Sequence, residues 1–215
     1  MEYNVNEYKR LLLSENNQHN LVSRRSIDQE IDKHIEDSLI MMNEMDWEGK
    51  NVIDIGSGAG FPGLVLALAC PGARFTLLEA DLKKSTFLEK VKEQLNIANV
   101  MVLRQRAEEL GRNPEFRAAY DICTARAVAN MSILLEYGLP LVKLGGCLLL
   151  WKGRNYQEEI KASEAAMQIL GGKIKQIIAY NLLEERDRVI VICEKDKVTP
   201  DKYPRRVGIP AKRPL

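Results

Sequence analysis

A glycine-rich turn between an apolar strand and an apolar helix constrains the fold of this chain more than any other feature. The stretch reads NVIDIGSGAGFPGLVLALAC and covers residues 51–70. Its apolar start contains one acid, Asp54, and four glycines follow within eight residues: Gly56, Gly58, Gly60 and Gly63. A strand that ends in glycines before a helix leaves bare backbone, which a nucleoside-bearing ligand can approach at the N-terminus of that helix. Pro62 suits the first turn of such a helix, where its missing N–H is harmless.

The rest of the chain alternates between strand and helix patterns. Strands are predicted at 51–55, 74–79, 99–104, 120–125 and 146–152, and helices at 62–70, 82–95, 129–140 and 155–170. Two helices, at 3–18 and 26–45, precede this region, and two β-rich segments, at 174–182 and 188–194, form a closing hairpin. The order predicts an α/β, Rossmann-like fold with a mostly parallel seven-stranded sheet, helices on both faces and an N-terminal helical extension. The expected organisation is an N-terminal helical extension over 1–46, an α/β domain with the glycine turn over 47–195 and a basic, proline-rich tail over 196–215.

Composition excludes several classes of protein. An apolar share of 46% and a charged share of 28% are those of a globular domain. No run approaches the ~20 apolar residues of a membrane span, so a cytoplasmic protein is expected. The four cysteines are far apart in apolar stretches, and with only two histidines no metal site is expected. Nothing in the sequence requires a dimer, and we expect a monomer.

Two ligand classes use a turn of this kind. A dinucleotide fits GxGxxG, with Glu79 about twenty residues further on for a ribose. S-adenosylmethionine fits an acid followed by three alternating glycines, which here begins at Asp54. A pyrophosphate gains nothing from that acid, whereas the ammonium and sulfonium of S-adenosylmethionine do, so Asp54 favours the second ligand. Glu79 is then placed for the ribose hydroxyls and Glu108 for the adenine amino group, with the backbone near Ala107 against the ring.

The end of the fourth strand, DICTARAVAN, indicates which atom receives the methyl group. It lacks the acid or Asn followed by two prolines of amine methylases, and Cys123 lies inside the strand without the adjoining proline of a carbon-5 nucleophile. Arg126 can bind a carboxylate or phosphate but cannot act as a base. Such a site suits guanine nitrogen-7, which already has a free lone pair and needs only alignment with the sulfonium. Its groove in an RNA duplex is deep and narrow, so a loop or a splayed-out base is expected.

The last residues are strongly basic. Residues 195–215 contain seven Lys or Arg and two Asp, with four interleaved prolines. This composition predicts an extended cationic arm along a polyanion, independent of the cofactor turn. The alternative is a tail that packs back on the sheet with Tyr203 and Ile209 buried.

The chain resembles a known family, the bacterial small-subunit (16S) ribosomal RNA methyltransferase G family, also called glucose-inhibited division protein B. The resemblance rests on HNLVSRR, HIEDSL, VIDIGSGAGFPGL, FTLLEADLKKSTFL, TARAVA and YPRRVGIPAKRP. It implies that S-adenosylmethionine is used to methylate nitrogen-7 of one guanine in the 530 loop of 16S ribosomal RNA, free or in the small ribosomal subunit. The alternative is a methyltransferase acting on another RNA, a protein or a small molecule. Implied cofactor contacts, beside Asp54, Gly58, Gly60 and Glu79 above, are Gly56, Phe61, Ala107, Glu108 and Arg126.

The resemblance also suggests an RNA-facing side. His34, Asp37 and Ser38 in HIEDSL share one helical face. Arg24 and Arg25 in HNLVSRR are candidates for phosphate contacts, as are Arg205 and Arg206 in the tail. The alternative for HIEDSL is a buried His–Asp pair that fixes the N-terminal helices on the sheet.

Overall fold

A seven-stranded sheet organises the protein, and it is seen in a computed structural model that describes residues 2–19, 27–182 and 185–215. The strands are β1 Asn51–Ile55, β2 Arg74–Leu78, β3 Val100–Leu103, β4 Tyr120–Arg126, β5 Val142–Lys152, β6 Gly172–Leu182 and β7 Glu185–Lys195. Their order in the sheet is β3-β2-β1-β4-β5-β7-β6. Strands β1 to β5 are parallel, while β7 lies antiparallel between β5 and β6. The chain reverses its direction across the sheet between β1 and β4, and the carboxyl ends of strands at such a point are where ligands of open α/β sheets bind.

Helices cover both faces of the sheet. They are α1 Glu2–His19, α2 Ile27–Leu39, α3 Gly63–Ala69, α4 Leu82–Gln94, α5 Ala107–Leu110, α6 Met131–Gly138, α7 Tyr156–Ala162, α8 Glu164–Leu170 and α9 Ile209–Lys212, with a 3-10 turn at Ile40–Met42. Neighbouring strand residues face opposite sides, so Val52 packs in one core with α1 to α4 and Ile53 in the other with α6 and α8. Burial on both faces is the reason why β1 reads as a nearly continuous apolar run.

Most predicted elements are confirmed, and two of the differences have local causes. The predicted helix over 26–45 is wrong beyond Leu39, since the chain tightens into a 3-10 turn whose Met41 carbonyl accepts a hydrogen bond from the Trp47 indole at 3.2 Å. The predicted helix over 155–170 is two helices. They meet at Ser163, whose hydroxyl donates to the Glu159 carbonyl at 2.6 Å and competes with the helix ladder. The four-residue helices α5 and α9 were not predicted.

The C-terminal segment, residues 196–215, is not an extended arm. The side chain of Tyr203 is buried in the core beside α6. The Arg117 guanidinium donates to the Tyr203 carbonyl at 2.8 Å, and Arg112 Nε donates to the Pro204 carbonyl at 2.7 Å. The expectation of a free arm is therefore wrong, because these backbone carbonyls and an aromatic side chain find partners on the body of the protein. Ile209 remains exposed. The alternative of a tail that packs back with both Tyr203 and Ile209 buried is therefore confirmed for Tyr203 and wrong for Ile209.

We predict that Tyr203→Ala lowers the free energy of unfolding by about 3 kcal/mol, because it removes a buried aromatic ring and leaves a cavity. Denaturant unfolding measures this change. Val207→Ala in the same segment is the control, since Val207 is exposed and should change stability by less than about 0.5 kcal/mol. Equal, negligible effects of both substitutions would mean that the segment is a free arm in solution.

Candidate functional site

The glycine turn is fixed by Asp54, which lies on β1 just before the turn begins. This side chain is fully buried. Its Oδ2 accepts from the backbone N–H of Gly63 at 3.2 Å, and its Oδ1 accepts from the Thr124 hydroxyl at 2.7 Å. Asp54 thus joins β1, the start of α3 and β4. The expectation that it meets the ammonium of a ligand is wrong, because both of its oxygens point into the protein, toward donors on α3 and β4.

Two glycines of the turn have opposite surroundings: Gly63 is packed tightly against Asp54, and Gly58 borders open space. A Cβ built on Gly63 would lie 2.5 Å from the Asp54 Cβ, so a side chain there would displace the carboxylate from the helix. Gly58 has a φ of +57° and only the Gly56 carbonyl oxygen, at 3.8 Å, near its Cβ position. The turn at Gly58 is therefore left-handed and borders open space, which is the geometry that close approach of a ligand requires.

Glu79 closes the turn from the neighbouring strand. It follows β2, and its Oε2 accepts from the Gly58 N–H at 2.9 Å while Oε1 accepts from the Asp81 N–H at 2.8 Å. Glu79 borders a cavity of about 290 Å³ that also includes Gly56, Ala107 and Glu108. The structure thus brings together four residues that the sequence predicts for the cofactor.

Glu108 is the most enclosed carboxylate of this cavity. It is only 4% exposed, and its Oε1 accepts from the Gly208 N–H at 2.9 Å. Tyr137 lies against it on the cavity wall. Burial and the neighbouring Glu108 carboxylate raise the pKa of Tyr137 to about 12. Tyr137 therefore stays neutral beside the acid and can donate to it.

A second cavity, of about 260 Å³, continues from the first. The two share Gly56, Lys84 and Ala127, and the second adds His34, Gly58, Phe61 and Arg126 among its walls. Together they form one cleft across the carboxyl ends of the parallel strands, which we call the carboxyl-end cleft. Two carboxylates, Glu79 and Glu108, lie at one end together with Lys84 and Arg106. Arg126 lies at the other end together with Arg188 and with Asp37, the acid to which Arg126 is paired.

Arg126 is oriented by the N-terminal helices. Its Nη1 donates to Asp37 Oδ2 at 2.7 Å and to the His34 carbonyl at 3.2 Å. The guanidinium carbon lies 5.0 Å from the centre of the Phe61 ring. Nε and Nη2 donate to no acceptor in the described part of the chain. A planar cation with N–H groups on two nitrogens that have no acceptor among the described residues is suited to a carboxylate or phosphate.

Asp37 and Ser38 do not face RNA. Asp37 is 2% exposed and accepts from Arg126 and from the Tyr180 hydroxyl, while its backbone carbonyl accepts from the Trp151 indole at 2.9 Å. Ser38 is fully buried and donates to the His34 carbonyl. The predicted RNA-facing role of both residues is wrong, because α2 turns this face onto the sheet. The partner of Asp37 is Arg126, so the alternative of a His–Asp pair is also wrong.

The remaining predicted residues have different surroundings. His34 borders the cleft, and burial, followed by the charge of Arg126, lowers its pKa, which keeps the ring neutral near pH 7. Gly60 lies between Leu64 and Tyr8, away from the cavity walls. Arg205 is paired with the buried Glu136 and is not available to a phosphate, whereas Arg206 is exposed. Arg24 and Arg25 lie outside the described residues.

Sequence reasoning missed three residues of the site. Lys84 lies at the junction of the two cavities, Tyr137 lies beside Glu108, and the Tyr8 hydroxyl donates to the Ala59 carbonyl of the turn at 2.7 Å. Lys84 could have been found from its place in the first turn of the helix that follows Glu79. Tyr8 and Tyr137 have no local signal, since each looks like an ordinary core position on its helix.

Within residues 2–19, 27–182 and 185–215, no cluster of His, Cys, Asp and Glu could hold a metal ion. No helix of the same ranges is long and apolar enough to cross a membrane.

Asp54 makes stability depend on pH. Burial raises its pKa to about 6, although the Thr124, Ser57 and Gly63 donors oppose the shift. Between about pH 4 and 6 the folded state holds a proton that the unfolded chain has released, so this group's contribution to stability falls as pH rises through that window.

We predict that Asp54→Asn removes a decline of about 3 kcal/mol in the free energy of unfolding between pH 4 and 7. The Asn side chain can accept from Gly63 and donate to Thr124, but it does not titrate. Unfolding curves of both proteins at pH 4 and 7 measure the difference, and parallel pH profiles would refute it.

The sequence of this chain is similar to those of one protein family along its whole length. The family model for rRNA small subunit methyltransferase G matches residues 1–189. The Ribosomal RNA small subunit methyltransferase G of Syntrophomonas wolfei is 59% identical over 215 residues and covers 100% of both chains. The protein of that name from Carboxydothermus hydrogenoformans is 44% identical over 97% of this chain and 89% of its own.

Solved structures show the same fold in more distant proteins. M. jannaschii TYW2 in complex with AdoMet has a TM-score of 0.60 at 15% identity, covering 76% of each chain. A SAM dependent methyltransferase from Aquifex aeolicus has a TM-score of 0.59 at 14% identity, covering 76% of this chain and 91% of its own. The fold is thus the Rossmann-like methyltransferase fold, and from the full-length identity the chain belongs to the rRNA small subunit methyltransferase G family.

Proposed function

We propose that this protein uses S-adenosylmethionine to methylate nitrogen-7 of a guanine in the 530 loop of the small-subunit (16S) ribosomal RNA. The observation that carries the proposal is the carboxyl-end cleft, which has the carboxylates of Glu79 and Glu108 at one end and, at the other, Arg126, whose Nε and Nη2 donate to no acceptor among the described residues. This polarity matches a ligand with hydroxyl and amino donors at its nucleoside end and a carboxylate at its amino-acid end. Membership in the methyltransferase G family supports the same cofactor and an RNA acceptor.

Each wall of the cleft has a role in holding the cofactor. Glu108 accepts from the adenine amino group, with the Ala107 backbone beside the ring, and Glu79 uses its remaining lone pairs for the ribose hydroxyls. Arg126 binds the methionine carboxylate or a substrate phosphate. Bound S-adenosylmethionine supplies an electrophilic methyl group on a sulfonium. Asp54 acts indirectly, because it fixes the turn on which Gly56 and Gly58 border the ligand.

The acceptor end needs alignment rather than a base. Asp37 is the one carboxylate that borders the second cavity among the described residues, and it is already bound by Arg126 and Tyr180. Guanine nitrogen-7 carries no proton, so the protein has only to exclude water and align the base with the methyl group. Phe61 and His34 offer ring surfaces for such a base at this end of the cleft. The phosphates of the RNA are assigned to Arg24, Arg25 and Arg206.

The decisive test is to map the modified atom. The protein is incubated with methyl-labelled S-adenosylmethionine and either small subunits or naked 16S RNA that lack the modification. Label in one guanine of the 530 loop, with strand cleavage specific for 7-methylguanine, supports the proposal. Label elsewhere in RNA, or in protein, supports the alternative of a methyltransferase with another acceptor.

We predict that Arg126→Lys lowers kcat/KM by roughly ten- to a hundredfold. Lysine keeps the charge beside Asp37 but loses the planar fork, and a hydrogen bond to a charged group contributes about 1.5–3 kcal/mol. Arg74→Lys is the control, since Arg74 lies at the amino end of β2, where it bonds to Asn51. Full activity of the Arg126→Lys protein would show that Arg126 does not bind the ligand and that its role is only the ion pair with Asp37.

We also predict a flat pH profile. The single-turnover rate at saturating cofactor should change little between about pH 7.5 and 8.5, since no proton leaves guanine in the methyl-transfer step and the lowered pKa of His34 leaves its ring neutral in this range. Rapid-quench measurement with labelled cofactor gives the rate at each pH. A rise with a slope near one on a logarithmic scale would instead identify a general base.

A further inference from the structure

The C-terminal segment reaches the same carboxylate that we assign to adenine. The Gly208 N–H donates to Glu108 Oε1 at 2.9 Å, and Glu108 borders the first cavity of the carboxyl-end cleft. We propose that this segment is a positioning element of the cofactor site, in which Gly208 fixes Glu108 so that it selects adenine over other bases. The proposal rests on the proposed function, which puts S-adenosylmethionine in that cleft.

The segment is anchored firmly enough for this role. The Arg205 side chain and backbone N–H make four hydrogen bonds with the Glu136 carboxylate, at 2.6 to 3.1 Å, and Glu136 is 1% exposed. Tyr203 is buried two residues earlier. The residue after Glu136 is Tyr137, which borders the cavity beside Glu108. The anchor of the segment and the wall of the cavity are therefore neighbours on the same helix, α6.

Glu108 needs such a support. It lies on α5, a helix of only four residues, so the contacts that fix its carboxylate come from other parts of the chain: Tyr137 on α6 and Gly208 in the C-terminal segment. Gly208 occupies one lone pair of Oε1 and the Tyr137 hydroxyl can occupy another, so lone pairs of the carboxylate are still left for a ligand donor. Gly208 has a φ of +78°, so the left-handed backbone that glycine permits sets the direction of its N–H.

A fixed carboxylate discriminates more sharply than a free one. It accepts a hydrogen bond from the amino group of adenine and repels the carbonyl oxygen that hypoxanthine has at the same position. A carboxylate that can move could instead accept from the ring N1–H of hypoxanthine and recover a hydrogen bond. Fixing Glu108 therefore removes this alternative, and the segment affects the choice of base more than the total affinity.

The test compares S-adenosylhomocysteine with S-inosylhomocysteine, its hypoxanthine counterpart, by titration calorimetry. The variant ends at Arg206, so it keeps Tyr203 and the Arg205–Glu136 pair but lacks Gly208. The matched control is the full chain with Lys212→Ala and Arg213→Ala, which loses the same two cations and keeps Gly208. We expect the full chain and the control to prefer the adenine ligand by about tenfold or more. In the truncated chain, the ratio of the dissociation constants for the hypoxanthine and adenine ligands should be roughly two- to tenfold smaller, because the Glu108 side chain is no longer held in one position.

Glu108→Gln shows whether the effect passes through Glu108. In that background the truncation should change the ratio no further, since the two changes act on one interaction. An unchanged ratio in a folded truncated chain, or an equal narrowing with and without Glu108, would overturn the proposal. Failure of the full chain to bind S-adenosylhomocysteine is a different result, because it refutes the proposed function instead.

Hydrogen exchange provides a test that does not depend on the truncated chain folding. In the full chain, S-adenosylhomocysteine should slow exchange of the Gly208 amide, because the ligand holds Glu108 in place. In the Glu108→Gln protein that slowing should be reduced or lost. Exchange at Gly208 that is indifferent to the ligand in the full chain would also overturn the proposal.

Discussion

The buried carboxylate of Asp54 is the interaction on which the rest of the site depends. It accepts one hydrogen bond from the first residue of α3 and one from β4, so a single side chain fixes the strand, the turn and the helix relative to one another. Burial makes its ionised form costly and raises its pKa to about 6. The donors of Thr124 and Gly63, together with the positive end of α3, offset part of that cost. The turn is thus held by a group whose contribution to stability is smaller at neutral pH than near pH 4.

Arg126 and Asp37 make the second essential connection. Asp37 comes from α2, yet its acceptors are used by Arg126 of β4, Tyr180 of β6 and Trp151 of β5. The N-terminal helices therefore close the reacting end of the cleft through one buried acid. An ion pair this deeply buried is a poor source of net stability, because both charges lose their hydration. Its clearer effect is to fix the plane of a guanidinium that borders the cleft and whose Nε and Nη2 donate to no acceptor within the described ranges.

Local patterns in the sequence were sufficient to predict the sheet, the closing hairpin and the gathering of Glu79 and Glu108. Strand and helix periods are local properties, and the carboxyl ends of parallel strands meet at one edge by topology. The misplaced residues are polar side chains whose partners lie far away in the sequence. Asp54 bonds to Thr124, Asp37 to Arg126 and Arg205 to Glu136, at separations of 70, 89 and 69 residues. No periodicity reveals whether such a side chain meets solvent or a buried partner.

The two ends of the chain act on opposite ends of the cleft. The N-terminal helices hold Arg126 through Asp37, and the C-terminal segment holds Glu108 through Gly208, while the glycine turn between them is fixed by Asp54. The family model matches residues 1–189 and so stops before the C-terminal segment. Changes in that segment could therefore alter how the adenine is held without any change in the turn or in Arg126. Cofactor selection and methyl transfer are thereby supported by separate parts of the chain, although both occur in one continuous cleft.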